Sequence, residues 1–148
     1  MEDLSLHILD IAENAVRADA KKIVIDISED ENNDLLTICI SDDGLGMDEE
    51  MVKHALDPFF TTKNGKRIGL GLSMLSQAAR EADGKMELKS EQGAGTKIKA
   101  NFKLSHPDMK PLGNIFETLT VLITGCPSIQ FIYNYSKGDY DFSFDSNR

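Results

Sequence analysis

Apolar positions change their period several times along this chain, and each change marks an element. Leu4, Ile8, Ile11 and Ala15 recur at helical spacing, which predicts an amphipathic helix over residues ~4–18. Its opposite stripe holds Asp10, Asn14 and Arg17, with Glu13 beside it. Ile23, Ile25 and Ile27 then alternate with other residues, so Lys22–Glu29 reads as a strand. The polar run Asp30–Asp34 is a turn, and Leu36, Ile38 and Ile40 form the second arm of a hairpin. Asp48, Glu49 and Glu50 place acids at the start of a short helix, where the helix dipole favours them. A longer helix is predicted from about Leu70 to Ala82, stopping at Gly84. Met86/Leu88 and Ile98/Ala100/Phe102/Leu104 read as paired strands joined through Gly93-Ala94-Gly95. Beyond Lys110 the pattern restarts. Leu112, Ile115, Phe116, Leu119, Leu122 and Ile123 repeat helically up to Gly125-Cys126-Pro127. Phe131/Tyr133/Tyr135 and Tyr140/Phe142/Phe144 then flank the turn Ser136–Asp139 as a final hairpin.

Composition changes this picture in two places. The 148 residues suit one compact domain rather than a machine with separate catalytic, dimerisation and sensor modules. Seven of the ten aromatics follow Lys110, so residues 105–148 are expected to form an extension that packs on a main domain (residues 1–104) or on a partner chain. The net charge of −9 argues against broad binding to nucleic acid or anionic membranes. That charge is unevenly spread. Residues 1–60 hold 16 acids against 4 bases, whereas residues 61–110 hold 10 bases against 5 acids. Within the basic stretch, Thr61–Arg67 (TTKNGKR) carries three positive charges and no acid. No apolar run is long enough to span a bilayer, and the acidic first residues do not resemble a signal peptide. Cys39 and Cys126 lie far apart and make no metal-spaced pair; a reduced, cytoplasmic protein is expected.

Candidate chemistry gathers at four points. Asp42-Asp43-Gly44-Leu45-Gly46 follows a strand directly, and its glycines let backbone turn sharply and approach a ligand. An acid at a strand end can accept a hydrogen bond from an exocyclic amine. Gly69-Leu70-Gly71-Leu72-Ser73 opens a helix, where backbone N–H groups and the positive dipole end suit an anion. Lys63, Lys66 and Arg67 lie just upstream, within reach of a phosphate chain. Asn14 offers an oxygen ligand suited to Mg²⁺, with Asp10 one turn earlier on the same face. Singly, each of these is more often a turn or a solvated surface position; their occurrence together in this order is far more specific.

Together they resemble the ATP-binding domain shared by histidine kinases, type II topoisomerases, heat-shock chaperones and mismatch-repair ATPases, the Bergerat-fold superfamily. ILDIAENAVRA resembles the N-box, DDGLGM the first glycine box, DPFFTTK the F-box and lid start, GLGLS the second glycine box, and GAGT the third. The lid pattern looks most like histidine kinases, and the N-box followed by KKIVIDI looks closer to mismatch-repair ATPases. The resemblance implies a two-layer α/β sandwich with a mixed, mostly antiparallel sheet and helices on one face, plus the C-terminal helix–hairpin extension. It implies ATP and Mg²⁺ as ligands, with Asn14 as the metal ligand. Asp42 would accept from the adenine amino group, with Gly44, Gly46 and Met47 closing backbone on the base and Thr96 supporting the same contact. Phe59 and Phe60 would form the lid's hinge side and Lys63 would reach the phosphates. Gly69, Leu70, Gly71 and Leu72 would receive the phosphate chain. The strand expected before the N-box helix is missing, so the aromatic tail is expected to supply substitute sheet edge.

The position four before Asn14 bears on the nucleophile. A carboxylate there can act as general base on water or a hydroxyl, a service that a neutral imidazole does not need. Asp10 occupies it, and Glu13 is a second candidate. His7, His54 and His106 lack the context of a phosphoacceptor. The expectation is a kinase or ATPase acting in trans on a regulatory or phosphoacceptor protein. Its rivals are an ATPase conformational switch without protein phosphorylation and a non-catalytic ATP/ADP sensor; a homodimer through the extension is a further option.

Overall fold

In the computed structural model, residues 3–55 and 70–147 are described. The elements run α1 (Leu4–Arg17), β1 (Lys22–Asp30), β2 (Leu35–Asp42), α2 (Glu49–His54), α3 (Leu70–Glu81), β3 (Lys85–Glu91), β4 (Gly95–Lys103), α4 (Ile115–Gly125), β5 (Gln130–Lys137) and β6 (Tyr140–Asp145). α2 lies where its leading acids place it, and the other elements lie where the apolar periodicity places them. Asp48 caps α2 by accepting from the Met51 N–H at 2.8 Å, and Asn114 caps α4 by accepting from Glu117 N–H at 3.0 Å.

The strands form one six-stranded sheet in the order β3-β4-β2-β1-β5-β6. All neighbouring pairs are antiparallel except β1 and β5, which are parallel. Register explains the two layers. Ile25 pairs with Ile40 and Tyr133, Ile40 with Ile98, and Ile38 with Ala100, so these side chains share a face. That face is buried with Leu4, Ile8 and Ile11 of α1, Leu75 and Ala79 of α3, and Leu119 of α4. Each fully buried Ile or Leu contributes about 1.5–3 kcal/mol relative to exposure. On the other face, Lys97 and Lys99 are exposed and Asp26, Thr37 and Cys39 are partly exposed. This is a two-layer α/β sandwich with its helices on one side of a mixed, mostly antiparallel sheet.

Several contacts join the segment after Leu104 to the rest, and three of them position α4 and β5. β5 continues the sheet beside β1 over eight registered pairs. The carbonyls of Pro111 and Leu112 accept from the Leu4 and Ser5 N–H groups at 2.9 and 2.8 Å, satisfying donors that the first turn of α1 otherwise leaves unmade. The Thr118 hydroxyl of α4 donates to the Ser5 carbonyl at 3.4 Å.

Candidate functional site

The corner between the sheet and the C-terminal end of α1 is built by backbone approach. Gly46 has φ +71° and Gly95 has φ +107°, both in the region that side chains rarely adopt. A Cβ on Gly46 would lie 2.1 Å from the Glu91 carbonyl, and one on Gly95 would lie 2.0 Å from the Asp42 carbonyl. These two glycine boxes therefore pack on each other across the β2–β4 ladder, where Asp42 is registered with Thr96. Leu45 N–H donates to the carbonyl of Ala18, just past α1, at 2.8 Å, and Gly93 N–H donates to the Leu45 carbonyl at 2.7 Å. Gly44 is buried, and a Cβ there would lie 2.7 Å from the Ala18 carbonyl.

Adjacent acids divide their work at this corner. Asp43 accepts from the Lys21 and Lys22 N–H groups at 2.8 and 3.0 Å. The Lys22 amide chiefly holds its carboxyl below the usual carboxylate range. Asp43 is thus a fastening for the start of β1. Asp42 accepts from Gly44 N–H at 2.8 Å and from the Thr96 backbone, yet burial pushes its carboxyl up, with the Asp43 charge adding to the rise. An acid held in a partly desolvated position by two amides suits a ligand's donor. Ser90 is a residue that the sequence reading did not single out. Its hydroxyl accepts from Met47 N–H at 2.8 Å, lies 2.8 Å from the Thr96 hydroxyl and donates to the Gly95 carbonyl at 3.1 Å. The signal was present: the inward alternation Met86, Leu88 continues to a small polar residue at 90. A cavity of about 320 Å³ at this corner is lined by Asp42, Ser90, Gly95 and Thr96 among others.

The second cluster lies along α1. Gly71, in the first turn of α3, is buried, and a Cβ there would come within 2.7 Å of the Asp10 Cβ and 3.5 Å of the His7 carbonyl. The second glycine box is thus what lets α3 sit directly on α1 at Asp10. Asp10 itself is exposed, while Glu13 and Asn14 are half-buried. The Arg17 guanidinium donates to Asn14 Oδ1. His7 is buried, at 2% exposure, which agrees with a structural histidine. Leu72 is buried in the core. By helical rise, Ala18 and Asp10 stand about 12 Å apart, so α1 connects the Asp42–Thr96 corner with the Asp10–Gly71 contact, Asn14 lying between. Phe59, Phe60, Lys63, Lys66, Arg67 and Gly69, with the side chain of Leu70, lie outside the described residues. Among the described residues no group of three or more His, Cys, Asp or Glu could hold a metal by itself.

A larger cavity, about 460 Å³, lies between α4 and β5–β6, lined by Phe116, Tyr133, Tyr135, Tyr140 and Phe142 among others. Its walls are largely aromatic, and the Tyr135 hydroxyl is engaged with Glu29. Size alone would favour it; the converging acid, hydroxyl and glycine backbone favour the Asp42 corner.

Comparison with known proteins agrees with this geometry. Residues 2–106 match the family described as histidine kinase-, DNA gyrase B-, and HSP90-like ATPase. A Shewanella frigidimarina protein classed as a sensor is 36% identical over 109 residues, which are 73% of this chain and 16% of that protein. Sporulation kinase C of Bacillus subtilis is 34% identical over 88 residues, 60% of this chain and 20% of that protein. The chain thus spans a fifth or less of the length of these relatives. The Aquifex aeolicus MutL ATPase domain, solved with ADP, superposes with a TM-score of 0.60 at 14% identity over 95% of this chain and 63% of that one. This likeness is one of fold, and it runs beyond residue 106 into α4 and the final hairpin.

Proposed function

Since the chain belongs to the histidine kinase-, DNA gyrase B-, and HSP90-like ATPase family, we propose that it binds ATP with Mg²⁺ along α1 and uses it on a partner protein in trans. The observation that carries this reading is the alignment along one helix of three features. They are the Asp42–Thr96 corner, the half-buried Asn14, and the Asp10–Gly71 contact. In this reading Asp42 accepts from the adenine amino group, and the glycine backbone at 44–46 lies against the base. Gly69 and Gly71 bring the first amides of α3 to the phosphates, with Lys63 adding positive charge.

The donor set fits Mg²⁺ in the manner usual for nucleotide sites, with one or two protein oxygens and the remaining ligands from phosphates and water. Asn14 Oδ1 would be the protein ligand, with Asp10 and Glu13 as the neighbouring carboxylates that would hold its waters. Once bound, the ion neutralises phosphate charge as phosphoryl transfer proceeds. Arg17 must release Asn14 Oδ1 for this, and it is then free to face a phosphate oxygen.

Asp10 is the candidate general base, because it stands at the contact with α3 and one turn from Asn14. A carboxylate there favours water or a hydroxyl as nucleophile. The relatives' names as sensor and sporulation kinase favour transfer to a protein within signalling. The rival is an ATPase switch that changes a partner's shape. Incubation with γ-labelled ATP, with and without co-purifying cytoplasmic proteins, separates the two. Label on a protein is expected and must vanish in Asn14→Ala. Free phosphate with no labelled protein supports the switch, and neither product with intact ATP binding leaves a sensor.

A further inference from the structure

Ser90 is fully committed by its three contacts. A serine hydroxyl has one hydrogen to give and two lone pairs to accept with. Its hydrogen goes to the Gly95 carbonyl at 3.1 Å, and one lone pair takes the Met47 N–H at 2.8 Å. The remaining partner is the Thr96 hydroxyl, at 2.8 Å. The one arrangement that satisfies all three contacts has Thr96 donating its proton to Ser90. Thr96 Oγ1 is then left with lone pairs only, beside an Asp42 carboxylate that already accepts from Gly44 N–H.

We propose that Ser90 fixes the polarity of the Thr96 hydroxyl, and so makes this corner a reader of a 6-amino rather than a 6-oxo purine. The inference rests on the proposed nucleotide function and adds its base-selecting element. With Ser90 in place, Asp42 and Thr96 are two acceptors facing the base. An exocyclic amine has two hydrogens to offer, to the carboxylate and, directly or through a water, to Thr96. A 6-oxo group presents an acceptor to two acceptors and leaves buried lone pairs facing each other, which is the costly outcome. Without the Ser90 hydroxyl, Thr96 regains a free proton and can donate to a 6-oxo group. Ser90 is therefore a positioning residue acting through Thr96, and its hold on Met47 also fixes the backbone beside Gly46.

The test compares ATP with inosine triphosphate, which differs at the 6-position and the N1 hydrogen and shares ribose and phosphates. Ser90→Ala is expected to lower the ratio of ATP to inosine triphosphate affinity by about three- to tenfold. Ser90→Thr should restore it. In a Thr96→Val background, Ser90→Ala should change the ratio no further, because the residue it acts through is gone. Equal loss of both affinities in Ser90→Ala, with the ratio unchanged, overturns the proposal and leaves Ser90 a structural tie. If Ser90→Ala does not fold, Thr96→Val decides: a retained ratio overturns the proposal and a lowered one supports it. A wild-type chain that binds neither nucleotide fails at the earlier step, the nucleotide function itself.

Discussion

At the scale of single residues, neighbouring aspartates carry opposite consequences. Asp42's folded-state pKa lies above its ordinary value, chiefly through burial. Such a group costs stability while charged, and the cost is relieved as pH falls through the raised value towards the ordinary carboxylate range. Asp42→Asn should therefore raise the melting temperature slightly at neutral pH while weakening ATP binding roughly ten- to a hundredfold. A thermal scan beside a nucleotide titration checks both; a variant that loses stability and keeps its affinity contradicts this assignment. Asp43 is the reverse case. Its carboxyl is held low by the backbone amides of Lys22 and Lys21, so its contribution is present above the ordinary carboxylate value and is lost as pH falls through the lowered one. Asp43→Asn should loosen the start of β1, seen as faster amide exchange at Lys21 and Lys22, with the ATP-to-GTP preference intact. Asp42 was legible in the sequence as an acid ending an alternating strand, but the division between the two acids was not. It depends on which side chain turns back to the Lys21–Lys22 amides, a choice that local periodicity does not encode. Ser90 escaped for a similar reason. Its importance comes from Met47 and Thr96, which meet it only when the first and third glycine boxes fold onto β3.

At the scale of elements, two packings are specific enough to break. Gly71 lets α3 approach α1, and an added methyl would sit 2.7 Å from the Asp10 Cβ. Gly71→Ala should force the helices apart, costing about 1–3 kcal/mol and weakening ATP more than AMP, since the displaced amides serve the outer phosphates. Denaturant melts and paired titrations test this; equal loss for ATP and AMP would speak against a phosphate role for α3. The second packing is the tail. Sequence periodicity revealed α4 and the β5–β6 hairpin but not their destination, because a parallel pairing across more than 100 residues leaves no local mark. The expectation that the tail supplies sheet edge came from the family resemblance, not from periodicity. β5 lies parallel to β1, and Pro111 and Leu112 cap α1. Deleting residues 111–148 removes both at once. The truncated chain should lose most of its cooperative melt, and an unchanged melting temperature would show the tail to be an accessory.

Across the whole molecule, the uneven charge takes on a meaning. The acidic first 60 residues contain Asp10, Asn14 and Asp42, and the basic stretch 61–110 contains Lys63, Lys66 and Arg67. On the proposed reading, base and metal are met by the former and phosphates by the latter. Lys63→Ala should then narrow the affinity gap between ATP and AMP, more so at low salt, where such charges are less screened. The relatives carry the matched region as a fifth or less of their length. All of this depends on nucleotide binding, and calorimetric titration of the 148-residue chain with ATP and with GTP, each in the presence of Mg²⁺, tests it most directly. The account predicts saturable one-to-one binding of ATP that is lost in Asn14→Ala and much weaker for GTP. No heat with ATP, or equal affinity for the two nucleotides, would contradict it.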